Sequence, residues 1–164
     1  MTDWAGKVLT QLQDRQETLA TAESLSGGLL GAAITSVSGA SRCYRGGVIP
    51  YATELKARLA GVSDTTLAEL GPVAARTAAE MAAGVRERLG ADWGVALTGV
   101  AGPESQDGHP VGQVFVGICG PTGTTTTELR LLGDRAAVRR QCVAEALQAL
   151  SAALGGGPST SAGI

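Results

Sequence analysis

Apolar residues recur along this chain at two spacings, which predict an alternation of helices and strands. Helical spacing extends over three long segments, 3–14, 72–89 and one that begins after an N-cap at Asp134. The inner stripe of the last segment is formed by Val138, Cys142, Ala146 and Leu150. Shorter helices are predicted at 27–35, 51–59 and 64–71, with Asp64 as an N-cap.

Short apolar runs between these helices predict five strands, at 18–23, 43–49, 92–98, 113–119 and 124–131. The last two flank a Gly-Pro-Thr-Gly turn at 120–123, which favours a hairpin. Helices that alternate with strands, together with a late hairpin, predict an α/β fold. We expect a three-layer α/β/α sandwich with a mixed, mainly parallel five-stranded sheet, as a single domain over 1–154. The Gly/Ser/Thr-rich tail over 155–164 is predicted to be disordered.

Composition indicates a core of small aliphatic side chains. The 164 residues are 44% hydrophobic but only 3% aromatic, so we expect helices to pack closely on the sheet. A net charge of −2 offers no basic field to attract nucleic acid. No apolar run is long enough to span a bilayer, and none resembles a signal peptide. We therefore expect neither a nucleic-acid nor a membrane partner.

The cysteines Cys43, Cys119 and Cys142 are far apart and odd in number. They show neither the spacing of metal ligands nor that of a disulfide framework, which is typical of a reducing compartment. We expect a cytoplasmic protein without a metal site, in which Cys119 and Cys142 are buried as small apolar side chains.

Candidate chemistry centres on the stretch 21–28, Thr-Ala-Glu-Ser-Leu-Ser-Gly-Gly, which lies between a strand and a helix. A strand, a tight glycine turn and a helix expose a side chain at a sheet edge and direct backbone N–H groups at a ligand. Ser24 lies at that turn and is a candidate nucleophile. Gly27 and Gly28 lack a Cβ and so allow a ligand to approach the backbone.

A serine nucleophile needs a base, and the chain offers two types. His109, the only histidine, lies in a polar loop and would allow a Ser-His-Asp triad. Lys56 is one of two lysines, and we favour it as the base; the other, Lys7, lies on an exposed helix face. A lysine base needs a lowered pKa, through burial or a neighbouring cation such as Arg45. A solvated helix position is the alternative interpretation of Lys56.

Other polar residues near these positions have both structural and functional interpretations. Tyr51 could relay a proton or simply pack, and Glu23 could orient Lys56 or satisfy a strand end. A second glycine-rich turn at 98–103 follows another buried strand, and ligands collect at strand ends in α/β sheets. The arginines around the last helix, Arg130, Arg135, Arg139 and Arg140, are interpreted as a solvated face or subunit contact.

A set of motifs in fixed order resembles the CinA C-terminal domain family, the nicotinamide-nucleotide amidases. The motifs are Thr-Ala-Glu-Ser with Gly-Gly at 21–28, Arg-Gly-Gly-Val at 45–48, Tyr-Ala-Thr-Glu-Leu-Lys at 51–56, Gly-Pro-Val at 71–73, Thr-Gly-Val-Ala-Gly-Pro at 98–103, Pro-Val-Gly at 110–112 and Gly-Asp-Arg at 133–135. The loop 104–109 departs from the family pattern, as do Pro50 and Ser26. The resemblance implies the same three-layer fold and a homo-oligomer.

The resemblance also implies hydrolysis of nicotinamide mononucleotide to nicotinate mononucleotide and ammonia, without metal or other cofactor. Ser24 is the implied nucleophile and Lys56 the implied base, with Tyr51 and Ser41 at the same catalytic site. Backbone N–H groups near 26–28 would stabilise the oxyanion. The implied substrate contacts are Thr21, Glu23, Gly27, Gly28, Arg45, Gly46, Thr98, Gly99 and Gly102.

Two alternatives to this activity remain open at the level of sequence. One is a catalytically silent nucleotide-binding or regulatory module linked to competence or DNA damage. The other is hydrolysis of a different amide, because the 104–109 loop is unusual. The sequence also leaves open whether the serine or a lysine-activated water attacks first.

Overall fold

The computed structural model describes residues 2–156, which form six α-helices and five strands. The helices are α1 (Thr2–Arg15), α2 (Leu29–Thr35), α3 (Thr53–Ala60), α4 (Asp64–Leu70), α5 (Ala75–Arg88) and α6 (Arg135–Gly155). The strands are β1 (Leu19–Glu23), β2 (Tyr44–Val48), β3 (Trp93–Gly99), β4 (Gln113–Gly120) and β5 (Gly123–Arg130). A 3₁₀ turn, Ala40–Arg42, precedes β2. Of the predicted tail, Gly155 belongs to α6 and Gly156 is its C-cap, and 157–164 lie outside the described residues.

The five strands form one mixed sheet in the order β2-β1-β3-β4-β5. β1 pairs in parallel with both β2 and β3, whereas β4 is antiparallel to β3 and to β5. β5 therefore runs in the same direction as the first three strands, and the predicted mixed, mainly parallel sheet is confirmed. β1 and β3 are neighbours whose following strands lie on opposite sides of them. The crevice beyond the carboxyl ends of such a pair is where open α/β sheets bind ligands.

The helices cover both faces of the sheet, as the predicted three layers require. α1, α2 and α6 cover one face over a core of Leu, Val and Ile side chains, and α3, α4 and α5 cover the other. The predicted inner stripe of α6 is fully buried, and Asp134 caps this helix by accepting a hydrogen bond from the Ala137 N–H at 2.8 Å. The three cysteines are free and buried, as expected for Cys119 and Cys142.

Two predicted helix starts differ from the structure. Ser63, not Asp64, is the N-cap of α4, because its hydroxyl accepts a hydrogen bond from the Thr66 N–H at 3.1 Å. α5 begins at Ala75 instead of Pro72, because the N-cap Ala74 has an extended backbone with φ of −158° and ψ of 156°. The carbonyl of Pro72 accepts a hydrogen bond from the hydroxyl of Thr98 at 2.6 Å. This bond holds Pro72 against the end of β3.

The sheet face beneath α5 is built from small residues, which explains how a core with so few aromatics is filled. A Cβ on Gly94 would collide with the carbonyl oxygen of Ala82, and one on Gly117 would collide with that of Ala78. The backbone of α5 therefore lies almost directly on β3 and β4. The close approach leaves no room for even one methyl group.

Gly117→Ala is expected to destabilise the protein by about 2 kcal/mol or more, because the new methyl must displace the α5 backbone. Gly6→Ala is the matched control, since a Cβ at that position in α1 meets nothing within 4 Å. The control should be neutral or more stable by about 0.5 kcal/mol. Urea unfolding measures both, and equal free energies of unfolding for the two variants would refute the close packing.

Candidate active site

Ser24 directly follows β1 and begins a tight turn into α2. Its N–H donates to the carbonyl of Leu97 at 2.9 Å, and its own carbonyl accepts from the Gly27 N–H at 3.0 Å. Gly27 and Gly28 have φ values of 57° and 102°, in the left-handed region that favours glycine. Ser24 is thus held by the sheet on one side and by the turn on the other.

Lys56 on α3 brings its amine to the hydroxyl of Ser24. The Lys56 side chain is among the largest that are fully buried, with 1% of the residue exposed. Its Nζ lies 3.0 Å from Ser24 Oγ, 2.9 Å from the carbonyl oxygen of Pro50 and 3.4 Å from that of Tyr51. The alternative interpretation of Lys56 as a solvated helix residue is therefore wrong.

These three contacts suit a neutral amine as well as an ammonium ion. A neutral amine has two N–H donors and one lone pair, whereas an ammonium ion has three donors. With the two N–H groups on the carbonyls of Pro50 and Tyr51, the lone pair is left for the Ser24 hydroxyl. Ser24 then donates its proton toward Lys56, which is the arrangement that a general base requires.

Burial lowers the pKa of Lys56 to about 8, against the attraction of the Glu54 carboxylate, which raises it. A substantial fraction of this amine is therefore neutral near physiological pH. Burial alone accounts for the lowering, without the cation that the sequence suggested. The guanidinium of Arg45 instead donates to the carbonyl of Leu89 at the C-terminus of α5.

Glu23 is buried and serves as the cap of α2, not as a partner of Lys56. Its carboxylate accepts hydrogen bonds from the N–H groups of Gly28, Leu30 and Gly31 at 3.0, 3.0 and 2.8 Å. The N–H of Gly28 is therefore engaged by Glu23, and that of Gly27 by Ser24. Within residues 2–156, the neighbouring N–H groups of Leu25 and Ser26 have no acceptor.

Ser24 and Lys56 open onto a cavity of about 150 Å³ beyond the carboxyl ends of β1 and β3. Its lining includes the predicted Tyr51, Thr98, Gly99 and Gly102, and also Leu25, Thr53, Pro72, Val73, Val100, Ala101, Glu104, Gln106 and Arg135. The second glycine-rich turn thus forms part of the same cavity as the first. The connection from α4 to α5 contributes Pro72 and Val73, which follow the Gly71 that ends α4.

Two arginines on α6, one turn apart, donate hydrogen bonds to the loops that surround this cavity. Arg135 donates to the carbonyl of Gly102 at 2.7 Å and to the hydroxyl of Tyr51 at 3.2 Å. Arg139 donates to the carbonyls of Leu25 and Ser26 at 3.0 and 3.1 Å. The interpretation of the arginines around this helix as a solvated face or subunit contact did not anticipate these bonds, whereas Arg130 and Arg140 are exposed. One signal in the sequence was Arg135 itself, because a cation in the first turn of a helix is disfavoured by the helix dipole.

The 104–109 loop folds back on itself beside the cavity. Gln106 and His109 exchange two backbone hydrogen bonds around Asp107 and Gly108, whose φ values of 49° and 80° are those of a type I′ turn. The ring Nδ1 of His109 contacts the side chain of Gln113 at 2.8 Å, and His109 does not line the cavity. This placement does not support a Ser-His-Asp triad.

Several predicted site residues lie away from Ser24. Parallel pairing places Tyr44 and Gly46 beside Leu19 and Ala20, near the start of β1. Ser41, Arg45 and Gly46 are therefore near the opposite end of the strands, roughly 15 Å from the carboxyl edge by strand rise. Ser41 borders a separate surface groove with Tyr44, and the hydroxyl of Thr21 lies 2.7 Å from that of Tyr44.

Within 2–156, no three His, Cys, Asp or Glu side chains converge in a group that could hold a metal ion. In the same range, no helix is both long enough and apolar enough to cross a membrane.

Comparison with known sequences identifies relatives along almost the whole chain. The model of the CinA C-terminal domain matches residues 1–154. A CinA-like protein of Frankia casuarinae is 51% identical over 155 residues, which are 94% of this chain and 36% of the relative. A CinA-like protein of Synechococcus elongatus is 47% identical over 146 residues, 87% of this chain and 35% of the relative. The chain thus spans about a third of the length of these curated relatives.

Solved structures show the same architecture. A CinA superfamily protein from Klebsiella pneumoniae is 34% identical, with a TM-score of 0.91 over 94% of this chain and 97% of its own. The competence/damage inducible protein CihA from Agrobacterium tumefaciens is 33% identical, with a TM-score of 0.88 over 94% of each chain. The family match along the chain and these shared folds agree with the resemblance inferred from the motifs. This chain belongs to the CinA C-terminal domain family.

Proposed function

We propose that this protein hydrolyses the carboxamide of nicotinamide mononucleotide to nicotinate mononucleotide and ammonia. The observation that carries the proposal is the 3.0 Å contact between Lys56 Nζ and Ser24 Oγ at the base of a cavity. A nucleophile within hydrogen-bond reach of its base is the signature of covalent catalysis. The choice of substrate follows from the family resemblance.

In the first step, Ser24 Oγ attacks the carboxamide carbon while neutral Lys56 takes the serine proton. The carbonyl oxygen becomes an oxyanion, for which the N–H groups of Leu25 and Ser26 are available. Collapse of this intermediate breaks the C–N bond, and the Lys56 ammonium gives its proton to the departing amine. Ammonia leaves, and an acyl ester remains on Ser24.

In the second step, Lys56 deprotonates a water molecule, which attacks the same carbon. The ester C–O bond then breaks, and Ser24 regains a proton from Lys56. The acid product gives its remaining proton to the released ammonia and leaves as the carboxylate, with ammonium as the co-product. Every proton and electron pair in the two steps is supplied by Ser24, Lys56 and water. The pyridinium charge of the substrate withdraws electrons from the carboxamide and so favours both attacks.

The size of the cavity favours the entry of one end of this substrate. Its volume of about 150 Å³ is below the roughly 300 Å³ at which pockets for larger ligands begin, so the pyridine ring with its carboxamide would enter first. The phosphate would remain near the mouth, where Arg135 is exposed beside Tyr51. Glu104 and Gln106 also line the cavity and offer acceptors to the ribose hydroxyls or the pyridinium.

We also propose that the protein acts in the cytoplasm as a homo-oligomer. The cytoplasm is the compartment that the three free cysteines favour. Oligomer formation is an inference from the family, and size-exclusion chromatography with light scattering would measure the mass in solution.

Ammonia release from nicotinamide mononucleotide is expected for the unaltered protein and should fall by at least about 1,000-fold in Ser24→Ala and in Lys56→Met. Methionine keeps most of the volume of the buried lysine while removing its basic nitrogen. Lys7→Met is the matched control, because Lys7 is exposed on α1. Ammonia is measured in a coupled assay without added metal.

Three outcomes of that assay would contradict the proposal in different ways. Turnover by Ser24→Ala at the normal rate would contradict Ser24 as the nucleophile and favour attack by a lysine-activated water. Activity on another amide alone would change the substrate. Nucleotide binding by calorimetry without any turnover would favour the catalytically silent regulatory module.

The pH dependence of the same reaction tests the role of Lys56 separately. Since only the neutral amine can accept the serine proton, kcat/KM should rise about tenfold per pH unit below pH 8 and level off above it. The measurement is the pH profile of kcat/KM at low substrate concentration. A flat profile between pH 6 and 9 would contradict a lysine base with this lowered pKa.

A further inference from the structure

Arg139 is a half-buried cation whose guanidinium, within residues 2–156, donates its hydrogen bonds to the nucleophile turn. Its Nε donates to the carbonyl of Leu25 at 3.0 Å, and its Nη2 donates to that of Ser26 at 3.1 Å. A Cβ added to Gly27 would meet Nη2 at 3.3 Å, so the guanidinium lies against the turn itself. The planar fork of arginine suits two adjacent carbonyls in a way that a lysine does not.

These two bonds act on the peptide groups that surround the candidate oxyanion donors. The carbonyl of Leu25 belongs to the same peptide group as the N–H of Ser26, and a donor on the oxygen polarises that N–H. Leu25 itself lines the cavity beside Ser24. Neither N–H has a backbone acceptor within the described residues; Leu25 borders the cavity, whereas Ser26 is buried directly behind it in the turn.

The same turn contains further unused hydrogen-bonding capacity. The hydroxyl of Ser26 is fully buried and lacks a hydrogen-bond partner in the described part of the chain. Buried polar groups of this kind are rare in native structures, and a role in catalysis is one of the reasons for which they are retained. By contrast, Glu23 satisfies the N–H groups of Gly28, Leu30 and Gly31 in the adjoining helix. Within 24–31, the backbone N–H groups without an acceptor are therefore those of Leu25 and Ser26, the two residues whose carbonyls Arg139 binds.

We propose that Arg139 is a positioning residue, which fixes and polarises the peptide group between Leu25 and Ser26 so that the turn can stabilise an oxyanion formed on Ser24. The inference rests on the proposed role of Ser24 as a nucleophile, and it extends that role to a residue outside the cavity. Arg139 contacts neither the substrate position nor Ser24 Oγ. Its effect passes through the backbone of the turn.

The test compares Arg139→Ala and Arg139→Lys with Arg140→Ala, whose side chain is exposed on the same helix. Loss of an oxyanion donor costs about 100-fold in kcat. We expect a fall of that size in Arg139→Ala, with KM for nicotinamide mononucleotide changed by less than about threefold. Arg139→Lys should recover only part of the rate, and millimolar guanidinium chloride should restore activity to Arg139→Ala but not to Ser24→Ala. Arg140→Ala should behave as the unaltered protein.

A second readout does not depend on the proposed substrate. A fluorophosphonate probe reacts with an activated serine when Oγ forms a bond to phosphorus, fluoride leaves, and Lys56 takes the serine proton. The phosphoryl oxygen then occupies the position of the oxyanion. The rate of labelling at Ser24, located by mass spectrometry, should fall about 100-fold in Arg139→Ala and be restored by guanidinium.

These readouts separate the failure of the inference from that of the proposed function. Normal kcat and normal labelling in Arg139→Ala would overturn the role of Arg139 while leaving the amidase intact. A loss that guanidinium does not restore, or one confined to KM, would also overturn it, because either result indicates a structural or binding role. Labelling of Ser24 without ammonia release would reject the substrate, and the labelling rates would still decide for or against Arg139. Absence of both activities in the unaltered protein would overturn both proposals.

Discussion

The arrangement of this site depends on a lysine amine held out of water without a carboxylate partner. Lys56 is 1% exposed, and its amine contacts two backbone carbonyls and one hydroxyl. An ammonium ion in such surroundings is poorly compensated, so the neutral amine is favoured and the pKa is lowered. A carboxylate in direct contact would stabilise the charged form and remove the base. The carboxylate of Glu23 instead accepts hydrogen bonds from the N–H groups of α2, and it is not among the hydrogen-bond partners of Lys56.

Strand direction places the residues of the candidate active site at one end of the sheet. The carboxyl ends of β1 and β3 bring Ser24 and Thr98 to one edge, and the connection after β2 brings Tyr51 and Lys56 to the same edge. Ser41 and Arg45 precede or begin β2, so parallel pairing carries them toward the other end. Ser41 and Arg45 are close in sequence to Tyr51 and Lys56, but the five residues of β2 separate the two pairs and place them toward opposite ends of the sheet.

The fold could be predicted from the sequence because it depends on local signals, whereas the placement of Lys56 beside Ser24 was implied mainly by the family resemblance. Helical and strand periodicity located all six helices and five strands, and the glycine turn after β1 marked Ser24. Strand alternation also decides the role of Glu23, whose side chain points to the α2 face, whereas Ser24 lies past the strand end. Because Glu23 is the last residue of the strand and Ser24 is the first residue beyond it, Glu23 caps α2 although it was predicted to contact the substrate. No local pattern indicates which donors such a carboxylate will find.

The α6 arginines were missed for a different reason, which concerns how a helix is oriented in a tertiary structure. The buried stripe of α6, from Val138 to Leu150, fixes the rotation of the helix against the sheet. Arg135 and Arg139 are four residues apart, so this rotation turns both toward the loops that border the cavity, while Arg140 remains exposed. From residue type alone, all three arginines are expected to be exposed to solvent. Whether each arginine faces the cavity loops or the solvent is decided only when the apolar side chains of α6 pack on the sheet. The core of the protein, although remote from Ser24, in this way positions Arg139 against the turn that contains Ser24.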